Sequence, residues 1–288
     1  MRTQVECVPC FVNQAIRALR ANGKDEDYIK RVLPEILDIL RGIDFRSTPM
    51  ENASILYEFI RNSLGVRDIY KEVKRTHNEL LLRNYHKFKG FVEKCNDKLK
   101  AAIMLSCGAN LVDLGSRDVS TDDIYDEIVV NSKKEFCVDH YYNLVEDLSN
   151  AQRVTFFLDN AGEAILDMLL VETILEVFSN ISEIIVVAKA EPFINDITVE
   201  EAKEVGFEKL PRTRLMGVYP SKDRVPNYWS EEIRDLISSS DVVIAKGQAN
   251  YEALDVEGIY HLFYVKCNAV SRYVGVPVGC PVLFKRRL

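Results

Sequence analysis

The sequence predicts an α/β protein with a helical N-terminal part and a C-terminal part built on a largely parallel sheet with helices on both faces. Two observations support this prediction. Residues 1–150 place apolar side chains at helical spacing between helix start and stop signals. From residue 151 onward, apolar runs of strand length alternate with helical patterns, as in consecutive βα units.

The composition is that of a soluble globular protein, with 47% apolar and 28% charged residues among 288. A net charge of −7 does not favour a nucleic-acid-binding surface. No apolar run approaches the ~20 residues that span a bilayer, so we expect no membrane partner. The first residues lack the apolar core of a signal peptide, so we expect a cytoplasmic protein.

The helical part has recognisable starts and ends. A first helix should end at Asn22-Gly23, and Pro34 should kink or divide the second. Thr48-Pro49-Met50-Glu51 predicts a helix start, since Thr48 is a good cap, Pro49 suits the first turn and Glu51 completes a capping box.

Two further helices are predicted from Asp68 to about Tyr85 and from Lys98 to Ala109, and residues 121–150 are charged and partly helical. These patterns predict a helical domain at 1–95 and a helical connector at 96–150.

Residues 151–288 are predicted to form the α/β domain that binds metal and substrate. Its strands are predicted at four apolar runs: 154–158, 184–188, 242–245 and 260–265. Polar residues follow directly after these strands: Asp159, Asn160, Asp196, Lys246, Asn250 and Lys266. Because open α/β sheets bind ligands at the carboxyl ends of their strands, we expect a site at this edge.

The residue types at this edge indicate a chemistry. Asp159, Asn160 and Asp196 offer carboxylate and carboxamide oxygens, which suit a hard divalent cation such as magnesium or manganese. Lys246-Gly247 would aim an ammonium group and backbone N–H groups at an anion such as phosphate. A metal and a lysine at one rim indicate phosphoryl chemistry. Neither a P-loop nor a GxGxxG motif supports nucleotide binding.

The cysteines and histidines are weaker indicators of a metal or redox site. Seven scattered cysteines argue against a disulfide framework. Cys7-Val8-Pro9-Cys10 has metal or redox spacing, and Cys267 and Cys280 would complete a four-thiolate site if the fold brought them close. The alternative is a set of ordinary reduced thiols. The four histidines have no mutual metal-ligand spacing.

Ordered motifs across nearly the whole chain resemble the damage-control phosphatase family, also called the acidic-residue methyltransferase-like metal-binding family. The motifs are Glu6-Cys7-Val8-Pro9-Cys10, Ser47-Thr48-Pro49, Glu72-Val73-Lys74-Arg75-Thr76-His77-Asn78-Glu79, Ala109-Asn110-Leu111-Val112-Asp113, Asp159-Asn160-Ala161-Gly162-Glu163, Ile194-Asn195-Asp196-Ile197-Thr198, Ala245-Lys246-Gly247-Gln248-Ala249-Asn250-Tyr251-Glu252 and Lys266-Cys267. With its N-terminal CxxC, the chain resembles the short branch of the family, which is typical of archaeal and some bacterial members.

The resemblance implies a helical part packed on a three-layer α/β/α domain and a metal-dependent phosphatase acting on small phosphorylated metabolites. It implies that Asp159, Asn160 and Asp196 hold manganese, magnesium, cobalt or nickel, and that Asp159, Asp196 and Lys246 are catalytic. It further implies a set of substrate-facing residues: Glu163, Gly247, Gln248, Asn250, Tyr251 and Lys266, with Asn78, Asn110 and Asp113 from the helical part.

One departure limits what the resemblance implies. The long eukaryotic branch has Asp-Leu-Asn-Tyr-Arg after its lysine-glycine pair, whereas this chain reads Gln248-Ala249-Asn250-Tyr251-Glu252. The substrate preference of that branch therefore does not carry over. Two alternatives stay open: a non-catalytic metal or metabolite sensor with the CxxC as its switch, and a carboxyl methyltransferase. The methyltransferase would need a pocket for adenosylmethionine, and no glycine-rich loop follows the first strand.

Overall fold

The structure, a computed structural model, describes residues 1–110, 121–220, 228 and 230–286, with the backbone alone at 121–123. Asp113 lies outside these residues. The helical part contains α1 (Cys7–Ala21), α2 (Glu26–Arg41), α3 (Pro49–Leu64), α4 (Lys71–Glu93), α5 (Lys98–Ala109), α6 (Thr121–Asn131) and α7 (Tyr141–Asn150).

The predicted start of α3 is confirmed. The Thr48 hydroxyl accepts from the backbone N–H of Glu51 at 3.2 Å, and the Glu51 carboxylate accepts from the N–H of Thr48 at 2.6 Å.

The structure extends two of the predicted helices. Pro34 does not divide α2, because the buried face of Ile29, Val32, Ile36 and Leu40 holds the helix together despite the lost hydrogen bond. α4 continues past Tyr85 to Glu93, because Phe88 and Val92 extend its buried face.

The sheet has seven strands among the described residues: β1 (Val138–Asp139), β2 (Arg153–Phe157), β3 (Glu183–Lys189), β4 (Thr213–Val218), β5 (Val242–Lys246), β6 (Tyr260–Tyr264) and β7 (Pro281–Lys285). Their spatial order is β1-β7-β6-β5-β2-β3-β4. β2 to β6 pair in parallel, and only β7 runs antiparallel to its neighbour β6. The prediction of a largely parallel sheet is therefore confirmed. Three strands, β1, β4 and β7, were not predicted. β1 has only two residues, and β4 is an edge strand whose side chains are mostly half-buried.

Helices cover both faces of the sheet, as predicted. The C-terminal helices are α8 (Ala164–Val177), α9 (Val199–Val205), α10 (Glu231–Ser238), α11 (Gly247–Ala253) and α12 (Asn268–Val274). Neighbouring residues of one strand enter different apolar clusters: Phe156 packs with α4, α5 and α8, whereas Phe157 packs with α10. Helices α1 to α3 enclose a third apolar cluster of their own.

The expectation of no disulfide was wrong, because Cys137 is bonded to Cys280. Cys137 directly precedes β1 and Cys280 directly precedes β7, and these strands pair in parallel, so the two cysteines meet across 143 residues of chain. Cys280 is therefore not available for a four-thiolate site with Cys7, Cys10 and Cys267.

None of the helices described here combines the length and the apolar character that crossing a membrane requires.

Candidate active site

The strand order reverses between β2 and β5. From β2 the chain builds outward through β3 and β4, and from β5 it builds in the other direction through β6 and β7. Asp159 follows β2, and Lys246 is the last residue of β5. Both residues therefore lie at the point where open α/β sheets form a crevice for ligands.

The loops after β2 and β3 are joined by backbone hydrogen bonds. The N–H of Ala161 donates to the carbonyl of Asn195 at 3.0 Å, and that of Ile197 donates to the carbonyl of Asp159 at 2.9 Å. Asn160 and Asp196 form an antiparallel bridge. This ladder brings together Asp159 and Asp196, which the sequence separates by a whole βα unit.

Three carboxylates are buried here: Asp159, Glu163 and Asp196 are only 4%, 4% and 3% exposed. Burial, and then the charges of Glu163 and Asp196, raise the pKa of Asp159 well above its usual value. Burial also raises the pKa of Asp196, although Lys189 acts in the opposite direction. We call these three residues the carboxylate cluster.

Two carboxamides hold the carboxylate cluster in place. Asn110 donates through Nδ2 to Glu163 Oε2 at 2.7 Å and to Asp159 Oδ2 at 3.3 Å. Asn160 donates to the same two oxygens, at 3.3 Å and 2.9 Å. From α4, Asn78 accepts from the N–H of Gly162 at 2.6 Å and so fixes the turn between Asp159 and Glu163. The helical part therefore contributes Asn78 and Asn110 to this site.

Two buried lysines at this site already pair with carboxylates. Lys246 Nζ lies 2.6 Å from Asp167 Oδ1 of α8 and 3.8 Å from Glu163 Oε1. Lys189 Nζ lies 3.0 Å from Asp196 Oδ2. Asp159 forms no ion pair with any described lysine or arginine, and Glu163 Oε1 is buried without a hydrogen-bond partner. The carboxylate cluster therefore holds more negative than positive charge.

Four residues of this network were not predicted: Ser106, Asp167, Lys189 and Tyr228. Ser106 and Lys246 both contact Asp167 Oδ1 at 2.6 Å. Lys189 donates to the Tyr228 hydroxyl, which donates to Asn250 Oδ1 at 2.5 Å. The signal for Asp167 was present, because it is a single carboxylate within the apolar first turns of α8.

The predicted substrate-facing residues are in different surroundings. Asn250 is fully buried and donates to the carbonyls of Leu158 and Lys246, at 2.9 Å and 2.7 Å. Tyr251 stacks on Phe263 in a separate apolar cluster. Among the described residues, neither side chain forms a hydrogen bond with the carboxylate cluster.

Lys266, in contrast, is exposed, and its charge opposes the rise in the pKa of Asp159. Gln248 Oε1 accepts from the backbone N–H of Lys266 at 2.9 Å and so positions that segment.

The donor set suits a hard cation. Asp159, Asn160 and Asp196 supply only oxygen ligand atoms, and the orphaned Glu163 Oε1 lies beside them. Within the described residues, no three His, Cys, Asp or Glu side chains already form a metal-binding group. It is Nδ2 of Asn160 that contacts the carboxylates, so its carboxamide oxygen does not face them here.

Comparison with known proteins agrees with this architecture. Residues 3–282 match the family model of the damage-control phosphatase ARMT1-like domain. The damage-control phosphatase PH1575 of Pyrococcus horikoshii is 30% identical, over 100% of this chain and 99% of that protein. A damage-control phosphatase of Archaeoglobus fulgidus is 27% identical over 97% of both chains.

A crystal structure of a duf89 family protein from Pyrococcus horikoshii superimposes with a TM-score of 0.84, at 28% identity and over 100% of both chains. It has the same fold, and the match includes both the sheet and the helical part. The chain therefore belongs to the damage-control phosphatase ARMT1-like domain family.

Proposed function

We propose that this protein is a divalent-metal-dependent phosphatase that hydrolyses phosphomonoesters of small metabolites at the carboxylate cluster. One observation carries the proposal: three buried carboxylates converge at the switch point of the sheet, and no lysine or arginine among the described residues is paired with Asp159. Buried charges without partners are costly, and a bound cation removes that cost. Membership of a damage-control phosphatase family supports the reaction class.

In this proposal Asp159, Asn160 and Asp196 hold the cation, which when bound would polarise the phosphoryl group and neutralise its charge. Asn110 keeps Asp159 and Glu163 oriented through its two hydrogen bonds. The exposed ammonium group of Lys266 is available to a phosphate oxygen at the rim. Lys246 acts as a positioning residue, because its ammonium group is already bound to Asp167.

Glu163 is the candidate general base. Its Oε2 accepts from Asn110, while Oε1 is buried without a hydrogen-bond partner and can accept a proton from water. We infer that water is the nucleophile, since Asp159 Oδ2 is bound by two carboxamides and packed against Gly247. Glu163→Gln should then lower kcat by at least about 100-fold while metal affinity is retained.

The test is phosphate release from a panel of sugar phosphates and nucleotides. The protein is assayed after chelation and again with magnesium, manganese, cobalt or nickel added back. We expect metal-restored release by the wild type and none by Asp159→Asn. Asp241→Asn is the matched control, because Asp241 binds the N–H of Arg153 at the opposite end of β2. Full metal-independent release, or equal release by Asp159→Asn, would refute the proposal.

If the wild type binds metal but hydrolyses no phosphoester of the panel, the sensor alternative replaces the phosphatase. Adenosylmethionine in a calorimetric titration tests the methyltransferase alternative in the same preparation.

A further inference from the structure

A second pocket lies beside the carboxylate cluster. It is a shallow depression, open to solvent, with a cavity volume of about 10 Å³, and it lies between α3, the segment that follows it and the loop after β3. Arg61 and Arg67 line it from the helical part, and Phe193 and Ile194 line it from the loop. We call it the arginine pocket.

The arginine pocket carries positive charge that the described residues do not neutralise. Arg61 Nε is buried without a hydrogen-bond partner, and neither Arg61 nor Arg67 forms an ion pair with a described carboxylate. Asp68 also lines the pocket, and it shares Lys74 with Glu201: Lys74 Nζ lies 2.7 Å from Asp68 Oδ2 and 2.8 Å from Glu201 Oε1. These three residues together carry one negative charge, against the two guanidinium groups of the pocket. In a chain of net charge −7, two unpaired guanidinium groups at one pocket indicate an anionic ligand.

Tyr57 adds a neutral donor to the pocket. Burial raises the pKa of the Tyr57 hydroxyl well above its ordinary value, so the group stays protonated. The hydroxyl already hydrogen-bonds with Tyr70, so donation to an anion in the pocket would replace that bond.

The loop that forms one wall of the pocket also carries Asp196. Phe193 accepts at its carbonyl from the N–H of Asp196 at 3.1 Å. Ile194 precedes Asp196 by two residues, a span of at most about 7 Å. The wall of the arginine pocket and Asp196 are therefore close neighbours along the chain.

Ile194 is held in a demanding conformation. Its φ of 48° is a left-handed value that β-branched residues rarely adopt. Ile194 packs against both the apolar cluster of α1 to α3 and the cluster beneath α10. Packing from both sides thus fixes the wall between the arginine pocket and the carboxylate cluster.

We propose that the arginine pocket binds a second anionic group of the substrate, a carboxylate or phosphate, while the phosphoryl group to be cleaved sits at the carboxylate cluster. The preferred substrates are then phosphorylated acids or bisphosphates rather than monophosphates with a neutral tail. This inference rests on the proposed phosphatase function and adds its substrate class.

The kinetic test uses three substrates of one carbon skeleton: glucose 6-phosphate, 6-phosphogluconate and glucose 1,6-bisphosphate. We expect the wild type to prefer 6-phosphogluconate and glucose 1,6-bisphosphate, the two substrates with a second anionic group. Arg61→Met should lower kcat/KM for them about 10- to 100-fold, mainly through KM, and leave glucose 6-phosphate unchanged. Arg41→Met is the matched control, because Arg41 is exposed and pairs with Asp38 on α2. An equal loss for all three substrates, or no loss, would overturn the inference.

A binding measurement separates this inference from the proposed function. Calorimetry compares 6-phosphogluconate and inorganic phosphate as ligands of the metal-loaded wild type and Arg61→Met. If the wild type hydrolyses nothing but binds 6-phosphogluconate in an Arg61-dependent manner, the phosphatase fails and the anion pocket stands. Arg61-dependent binding of inorganic phosphate alone would identify a free-anion site and overturn the substrate assignment, as would no Arg61-dependent binding.

Discussion

The carboxylate of Asp159 lies directly over the α-carbon of Gly247. A Cβ built on Gly247 would stand 1.8 Å from Asp159 Oδ2, far inside van der Waals contact, and the φ of Gly247 is +80°. Only glycine fits this position, both for its conformation and for the space it leaves. Gly247, which directly follows β5, therefore determines where the carboxylate of Asp159 can lie.

Gly247→Ala should therefore displace Asp159 and abolish phosphate release. Its strain of about 1–2 kcal/mol from the left-handed conformation adds to the cost of moving a buried carboxylate. Gly258→Ala is the matched control, because Gly258 has a φ of +87° but no atom within 4 Å of the added Cβ. Denaturant unfolding should show a larger loss for Gly247→Ala, and phosphate release should fall in that variant alone. Equal losses in both variants would contradict the close packing.

Asp167→Asn should destabilise the fold by about 3 kcal/mol, because it leaves the fully buried ammonium group of Lys246 without its partner at 2.6 Å. Glu176→Gln removes a pair of the same 2.6 Å length, but that pair with Lys98 is exposed to solvent. Water screens an exposed pair, so we expect little change in the control. Urea unfolding of both variants measures the difference, and similar small effects would show that Lys246 does not depend on Asp167.

His261→Phe should stabilise the protein by about 1–2 kcal/mol at pH 7. The ring of His261 is fully buried between aromatic residues, and neither ring nitrogen has a hydrogen-bond partner among the residues that the structure describes. Phenylalanine keeps the aromatic packing and removes the unpaired nitrogens.

The gain from His261→Phe should grow as the pH falls. Burial lowers the pKa of His261 to about 3, whereas the unfolded chain takes up this proton near pH 6.5. The unfolded state then binds more protons below pH 6.5, so the wild type loses stability as the pH falls toward 3. Unfolding at pH 7 and pH 4 measures this, with the exposed His86→Phe as control. A gain that does not change with pH would contradict the neutral buried ring.

Local sequence signals predicted local structure well. Thr48 and Glu51 form a capping box within one turn, and α5 begins and ends at the predicted Lys98 and Ala109. Asp159 and Asp196 were expected at one edge because parallel strands end together, and the structure brings their loops into contact.

The sequence pattern did not predict the contacts between segments that are far apart along the chain. Asp167 pairs with Lys246 across 79 residues, and Cys137 meets Cys280 across 143. The arginine pocket likewise joins α3 to a loop that lies about 130 residues later, and neither segment carries a recognisable anion motif. Asn250 and Tyr251 share a motif with Lys246, but a helical turn directs their side chains to different neighbours.

Manganese titration of the chelated protein, followed by thermal unfolding, tests the carboxylate cluster most directly. Metal at about 100 times its Kd should stabilise the wild type by about 2.7 kcal/mol, a rise in Tm of roughly 5–10 °C. Without metal, Asp159→Asn should be at least as stable as the wild type, because it relieves repulsion within the cluster. With manganese, its Tm should not rise. An equal rise in Asp159→Asn, or none in the wild type, would contradict a metal site at these carboxylates.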